Sequence, residues 1–208
     1  MLDSLQEKYK HLYKGVVLDI GGRDRGNFVK PKDLVDKWIF ADINEKYKPD
    51  VLLDVTNMNQ IESDTIDVVN AIELFEHVKD YKKGLKECYR VLKKRGVLIL
   101  STPFLIHIHA DPGDYQRISI EKWKLDLLEI GFKYKTSIIM GKYFTHLAET
   151  IKDLFIACER RKIHGSTLLL RMLHPLLDKL LKLDNRSFVR NDSRLNFYHT
   201  GYFIIAKK

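Results

Sequence analysis

Five short apolar runs decide what this chain can fold into, because each is strand-length and each gives way to a polar residue or glycine. Val16-Val17-Leu18-Asp19-Ile20 stops at Gly21-Gly22, Trp38-Ile39-Phe40-Ala41 at Asp42, and Val51-Leu52-Leu53 at Asp54. Ile66-Asp67-Val68-Val69 and Val97-Leu98-Ile99-Leu100 supply two more. Continuous apolar, partly β-branched runs of this length mark strands buried on both faces of a parallel sheet. Such a sheet needs crossover helices, and the intervening sequence carries them. Tyr81, Leu85, Cys88, Val91 and Leu92 fall on one helical face behind Asp80 as N-cap, and Cys88 there is core. Trp123, Leu127, Leu128 and Ile130 follow Ser119 in the same way, closed by Gly131. Leu2, Leu5, Tyr9, Leu12 and Tyr13 predict an amphipathic helix ending at Gly15. Strands alternating with helices make an α/β fold with right-handed crossovers.

The pattern changes after a predicted strand from Lys133 to Met140. A Leu-rich, basic, helical stretch runs from about Tyr143 to Leu183, and sheet-like alternation returns from Tyr198 to Ala206. The expectation is one domain over 1–208 with a helical insertion at 142–195. That insertion packs on the sheet, covers a substrate, forms a homodimer surface, or lies on an anionic membrane face, since its apolar stripe is flanked by Arg160-Arg161-Lys162 and Arg186. No apolar run reaches the roughly 20 residues of a membrane-spanning helix. With only Cys88 and Cys158 in 208 residues, and no basic-then-apolar leader, neither a disulfide scaffold nor an exported protein is expected; the expected setting is cytoplasmic, with the inner membrane face as a peripheral option. The net charge of +8 bears on steering and solubility rather than on fold.

In open α/β sheets ligands bind beyond the carboxyl ends of the strands, so the residues that end the runs are the first candidates. The turn from Asp19 to Gly26 is glycine-rich, which admits a ligand to backbone that a Cβ would block, but it lacks the Gly-x-Gly-x-x-Gly dinucleotide spacing. Asp42 follows about 20 residues later, where an acid accepts hydrogen bonds from ribose hydroxyls. Asp54 meets an adenine edge or builds an Asx-turn with Thr56-Asn57. No phosphate loop of the Gly-x-x-x-x-Gly-Lys-Ser/Thr kind is present, which removes an NTPase. The pairing of glycine turn and acid points to a nucleoside-type ligand.

These residues, in this order, resemble the class I S-adenosylmethionine-dependent methyltransferases, in the broad small-molecule branch often found beside polysaccharide biosynthesis. Val17-Leu18-Asp19-Ile20-Gly21-Gly22 is similar to that family's first motif and Phe40-Ala41-Asp42-Ile43 to its second. Leu74-Phe75-Glu76-His77-Val78-Lys79-Asp80 resembles the signature after its fourth strand, and Leu85 to Lys93 followed by Gly96 the signature before its fifth. Pro103, His109, Asp114-Tyr115, Arg117 and Ile130-Gly131-Phe132 resemble the segments that follow, so the likeness spans about residues 15 to 140. It implies a Rossmann-like seven-stranded, mostly parallel sheet with helices on both faces and an antiparallel last strand. It implies S-adenosylmethionine as cofactor, held at Asp19, Gly21, Gly22, Asp42, Ile43 and Asp54, with Asn70, Ala71 and Ile72 at the methionine end. Three departures accompany it: Arg23 stands where the motif has a further glycine, Lys94-Arg95 replaces Pro-Gly, and Pro31 shortens or breaks the first crossover helix.

The acceptor end has four catalytic candidates. His77 and His109 are candidate bases, imidazole being the side chain suited to that role, and for His77 the resemblance also implies a packed partner beneath the cofactor. Tyr115 shares the His109 loop, and Arg117 either grips an anionic acceptor bidentately or pairs with an acidic neighbour. His107 and His109 alternate along an extended segment and could converge on a metal, but no third and fourth ligand stand at diagnostic spacing, so the reading carries no metal. The function this predicts is methyl transfer to a small-molecule or saccharide acceptor, at oxygen. RNA or protein methylation is the alternative that the positive charge favours, while the lack of an Asn/Asp-Pro-Pro-Tyr/Phe motif after the fourth strand counts against a nucleic-acid base. A cofactor-binding module without catalysis and a nucleotide-dependent oxidoreductase share the fold and stay open.

Overall fold

The computed structural model describes residues 1–22, 27–109, 113–163 and 165–208. Seven strands form one sheet: β1 Gly15–Ile20, β2 Val35–Asp42, β3 Val51–Leu52, β4 Ile66–Ile72, β5 Leu92–Pro103, β6 Lys133–Ile139 and β7 Gly201–Lys207, in the order β3-β2-β1-β4-β5-β7-β6. The pairs from β3 through β5 are parallel. β7 runs the other way: the N–H of Lys208 bonds Gly96 O at the start of β5, and the N–H of Met140, just past β6, bonds Gly201 O. The helices are α1 Leu2–Lys8, α2 Tyr81–Val91, α3 Ile120–Ile130, α4 Tyr143–Arg160, α5 Ser166–Leu183, α6 Ser187–Asn191 and α7 Ser193–Asn196.

The chain divides into two compact units, Met1–Ile138 with Tyr202–Lys208, and Ile139–Gly201. In the first, Val17, Leu18, Val68, Val69, Leu98, Ile99 and Leu100 are fully buried, as two-faced burial of central parallel strands requires. Asp80 caps α2 by accepting the Lys83 N–H at 3.0 Å, and Leu85, Cys88 and Val91 bury that helix's inner face. Ser119 caps α3 and Gly131, at φ 111°, ends it. Asp126 of α3 is wholly buried, and its carboxylate accepts from Tyr81 Oη and Lys122 Nζ at 2.6 Å each, with Lys82 Nζ at 2.8 Å. The crossover from β1 to β2 carries no helix in its described residues 27–34. Pro31 lacks the N–H a helix interior needs, which accords with the break expected there. Arg23, the departure in the glycine turn, lies outside the described residues, as do Asp24 to Gly26.

In the second unit α4 and α5 pack against each other. Asp184, buried just past α5, accepts the N–H groups of Lys142, Phe144 and Thr145 and the Thr145 hydroxyl at 2.7–3.0 Å, satisfying donors that the first turn of α4 leaves open. Leu177 is buried on α5, whereas Leu168, Met172 and Leu176 are more than half exposed. Among the described residues no helix is long and apolar enough to cross a membrane.

Candidate functional site

The strand order reverses at β1 and β4: the chain steps outward from β1 through β2 to β3, then returns to lay β4 on β1's other side. Ligands bind at such a switch point, beyond the carboxyl ends. A cavity of about 1010 Å³ opens there, walled by Asp19, Gly21, Gly22, Asp42, Ile43, Asp54 and Asn70 among others. Register sets Asp19 opposite Asn70 across the β1/β4 pair. Asn70 Nδ2 donates to Asp19 Oδ1 at 2.6 Å, Trp38 Nε1 donates to Asp19 Oδ2 at 2.9 Å, and Tyr13 Oη donates to Asn70 Oδ1 at 2.9 Å. Burial pushes the Tyr13 phenol far above its ordinary value, so it remains a donor. Lys30 Nζ sits 3.9 Å from Asp19 Oδ2 and over the Trp38 ring.

This network fixes the glycine turn. Gly21 adopts φ 69°, a conformation L side chains rarely take, while its N–H bonds Ala41 O at 2.8 Å. A Cβ at Gly22 would land on the Asp19 carboxylate, which Trp38 and Asn70 hold in place. Backbone, not side chain, therefore faces the cavity at this point. Asp42 is only 5% exposed, and its Oδ1 accepts the Asn44 N–H at 2.8 Å. Asp54 makes the Asx-turn, its Oδ1 accepting both the N–H and the hydroxyl of Thr56, and it lines the cavity as well. Ala71 is fully buried in β4 and does not line the wall, whereas Ile72 does. Sequence reasoning missed Tyr13, Phe28, Lys30 and Trp38 here. Tyr13 and Trp38 read in the sequence as helix face and strand, and only the topology brings them under the turn.

The other end of the cavity is reached through the segment after β4. His77 and Tyr115 line it; His109 and Arg117 stand behind, with the His109 ring meeting that of His77 edge-on at 5.1 Å. Arg117 forks Asp114, donating from Nη2 to Oδ2 at 2.6 Å and from Nη1 to Oδ1. That guanidinium holds the Asp114 carboxyl at about 2. His77 Nδ1 lies 2.6 Å from Gly113 O. A carbonyl only accepts, so Nδ1 carries the proton and, in the neutral ring, Nε2 keeps its lone pair.

Two acids that sequence reasoning did not single out complete this end. Glu73 holds a left-handed φ of 48° and accepts from Ser101 Oγ at 2.7 Å; burial raises its carboxyl. Glu76 is wholly buried, and burial, then the like charge of Glu73, pushes it up to about 8. His77 Nε2 stands 3.7 Å from Glu76 Oε1. The signal was present as acids three apart beside a histidine, but it sits inside a signature whose residues pass for packing.

Residues 31–100 match the family model for a methyltransferase domain. No curated protein matches the sequence. Similar solved structures include an S-adenosylmethionine-dependent methyltransferase from Archaeoglobus fulgidus, 21% identical, with 100% of this chain and 93% of that one covered and a TM-score of 0.62. Phosphoethanolamine N-methyltransferase 2 of Haemonchus contortus, in complex with phosphomonomethylethanolamine and S-adenosylhomocysteine, is 16% identical over 100% of this chain and 52% of its own, with a TM-score of 0.59. The (4+2) cyclase SpnF is 11% identical over 100% and 80%, with a TM-score of 0.58. The fold is thus that of the S-adenosylmethionine-dependent methyltransferases, as the sequence motifs implied, and it is one that also houses a cyclase.

Proposed function

We propose, on the premise of a methyltransferase domain in the S-adenosylmethionine-dependent fold, that this chain transfers a methyl group from S-adenosylmethionine to an oxygen of a small-molecule or saccharide acceptor. One observation carries the reading: at the switch point a bare backbone turn, Gly21-Gly22, stands over a locked Asp19–Asn70 pair, with the buried acid Asp42 at the end of the neighbouring strand. Those features fit the cofactor. Asp42 would accept the ribose hydroxyls, Asp54 would edge the base, the glycine turn would take the amino-acid portion, and Asn70 and Ile72 would flank the methionine chain. Bound there, the cofactor supplies an electrophilic methyl on a sulfonium sulfur, which leaves as a thioether with the carbon–sulfur electron pair.

The chain's own contribution is position and dryness. Ile72, Leu74 and Val55 give the cavity an apolar wall that excludes water, and holding two reactants in line removes much of the entropic barrier. A hydroxyl acceptor also sheds its proton, and His77, Tyr115 and His109 are the candidate groups to receive it. His77 is oriented for this: with Nδ1–H spent on Gly113 O, Nε2 is an acceptor.

Calorimetric titration of the purified protein with S-adenosylmethionine and S-adenosylhomocysteine, with NAD and ATP as controls, tests the reading. Selective binding of the first two is expected, followed by methyl transfer to hydroxyl-bearing small molecules or saccharides. Preference for NAD or ATP, or no binding, overturns it. Binding without transfer to any acceptor favours a module that keeps the pocket without the reaction.

A further inference from the structure

Glu76 is the most unusual side chain of this unit. Its side chain is 0% exposed, and apart from its own backbone N–H neither carboxylate oxygen meets a hydrogen-bond donor among the described residues. Buried polar groups are almost always satisfied, so an orphaned carboxylate calls for a partner that the polypeptide does not provide. Two imidazoles face it. One ligand atom each from Glu76, His77 and His109 lie within 4.8 Å of one another.

Each imidazole is steered from behind. His77 spends Nδ1–H on Gly113 O at 2.6 Å and turns Nε2 toward Glu76. His109 gives its backbone N–H to Asp114 Oδ2 at 2.9 Å, and its ring Nδ1 lies 3.6 Å from the same oxygen. Arg117, whose charge acts on Glu76 and Glu73, is paired with Asp114. A histidine whose far nitrogen is tied to a backbone carbonyl or a carboxylate is how proteins aim metal ligands.

We propose that Glu76, His77 and His109 form a binding site for a divalent transition-metal ion beside the acceptor end of the cavity. Donor atoms around an ion bonded at about 2.0–2.2 Å stand roughly 3–4 Å apart, so small side-chain rotations close the set. Two imidazole nitrogens and one carboxylate oxygen select manganese, iron, cobalt or zinc over calcium and magnesium. Three protein ligands leave positions open, and the chemistry that fits them is an oxygen of the acceptor. With the ion bound, His77 and His109 are ligands and no longer bases; coordination instead lowers the pKa of a bound hydroxyl, whose proton then passes to water. This role for the ion rests on the methyl-transfer reading, whereas the site itself does not.

The test uses the full chain, stripped with a chelator and titrated with cobalt(II) chloride by visible absorption, and with manganese(II) by electron paramagnetic resonance. S-adenosylhomocysteine binding is measured on the same samples. The expected result is one saturable site per chain, weakened at least about tenfold in Glu76→Gln and in His109→Ala, with S-adenosylhomocysteine affinity retained. Glu76→Gln keeps the side-chain volume, and His109 is partly exposed, so both variants should fold. No saturable binding of either ion up to about 1 mM overturns the site, as does binding that both variants leave unchanged. Metal binding that fails while S-adenosylhomocysteine binds removes the ion alone; the reverse result removes the cofactor reading and keeps the ion site.

Discussion

Replacing Asp42 by Asn isolates the ribose contact from the fold. In the wild type the carboxylate is nearly buried and gives Oδ1 to the Asn44 N–H at 2.8 Å. The amide oxygen of Asn keeps that bond, so the turn after β2 survives. The other atom becomes an NH₂, a donor where ribose hydroxyls need an acceptor. A hydrogen bond to a charged group contributes about 1.5–3 kcal/mol, and at about 1.4 kcal/mol per decade its loss weakens cofactor binding roughly 10- to 150-fold. The assay is calorimetric titration with S-adenosylhomocysteine, run beside a thermal melt. Asp42→Asn should melt near the wild type and bind within that range of weakening. A folded variant with wild-type affinity refutes the assignment of Asp42 to the ribose, and with it the argument from strand-end acids.

Other substitutions probe the remaining parts. Gly22→Ala drives a methyl into the Asp19 carboxylate and should lower stability by about 1–3 kcal/mol while reducing S-adenosylhomocysteine binding; a variant that melts and binds as the wild type shows that the turn has room. Asp126 is held below the usual carboxylate range: burial alone would raise it, but hydrogen bonds from Lys122, Lys82 and Tyr81 outweigh that. Its contribution is therefore present above the unfolded value near 3.9 and is lost as pH falls through the folded one, so Asp126→Asn should flatten the acid limb of the melting curve against pH. An unchanged acid limb would contradict this. Asp184→Ala strips the first turn of α4 of its acceptor and should cost about 0.5–2 kcal/mol, read as faster amide exchange at Lys142, Phe144 and Thr145; unaltered exchange would show that the cap is idle.

The central strands were legible because burial on both faces writes itself as continuous apolar sequence, and β1, β4 and β5 are buried that way. β2 begins at Val35, ahead of the apolar run at Trp38, because its Asp36 and Lys37 are exposed and interrupt the pattern. β5 begins at Leu92, ahead of Val97, since Lys93 to Gly96 carry polar residues and a left-handed Arg95 that no periodicity announces. The position of the strand-end acids Asp42 and Asp54 at the cavity wall was readable from topology alone. Glu73 and Glu76 were not. Their burial arises from β5 and the loop around Gly113 to Arg117 folding over them, a long-range event that local sequence does not encode.

The position of β7 has a consequence for the order of assembly. It lies between β5 and β6 yet is the last strand along the chain, separated from β6 by the entire second unit. Until residues 201–207 are synthesised, β6 has no neighbour in the sheet and β5 lacks its outer one. Loop closure over so long a span is slow, and a sheet left open at two strands exposes unpaired edges. During translation, then, the helical unit emerges before the sheet it interrupts can close, and removal of the final strand would disconnect β6 from the sheet altogether.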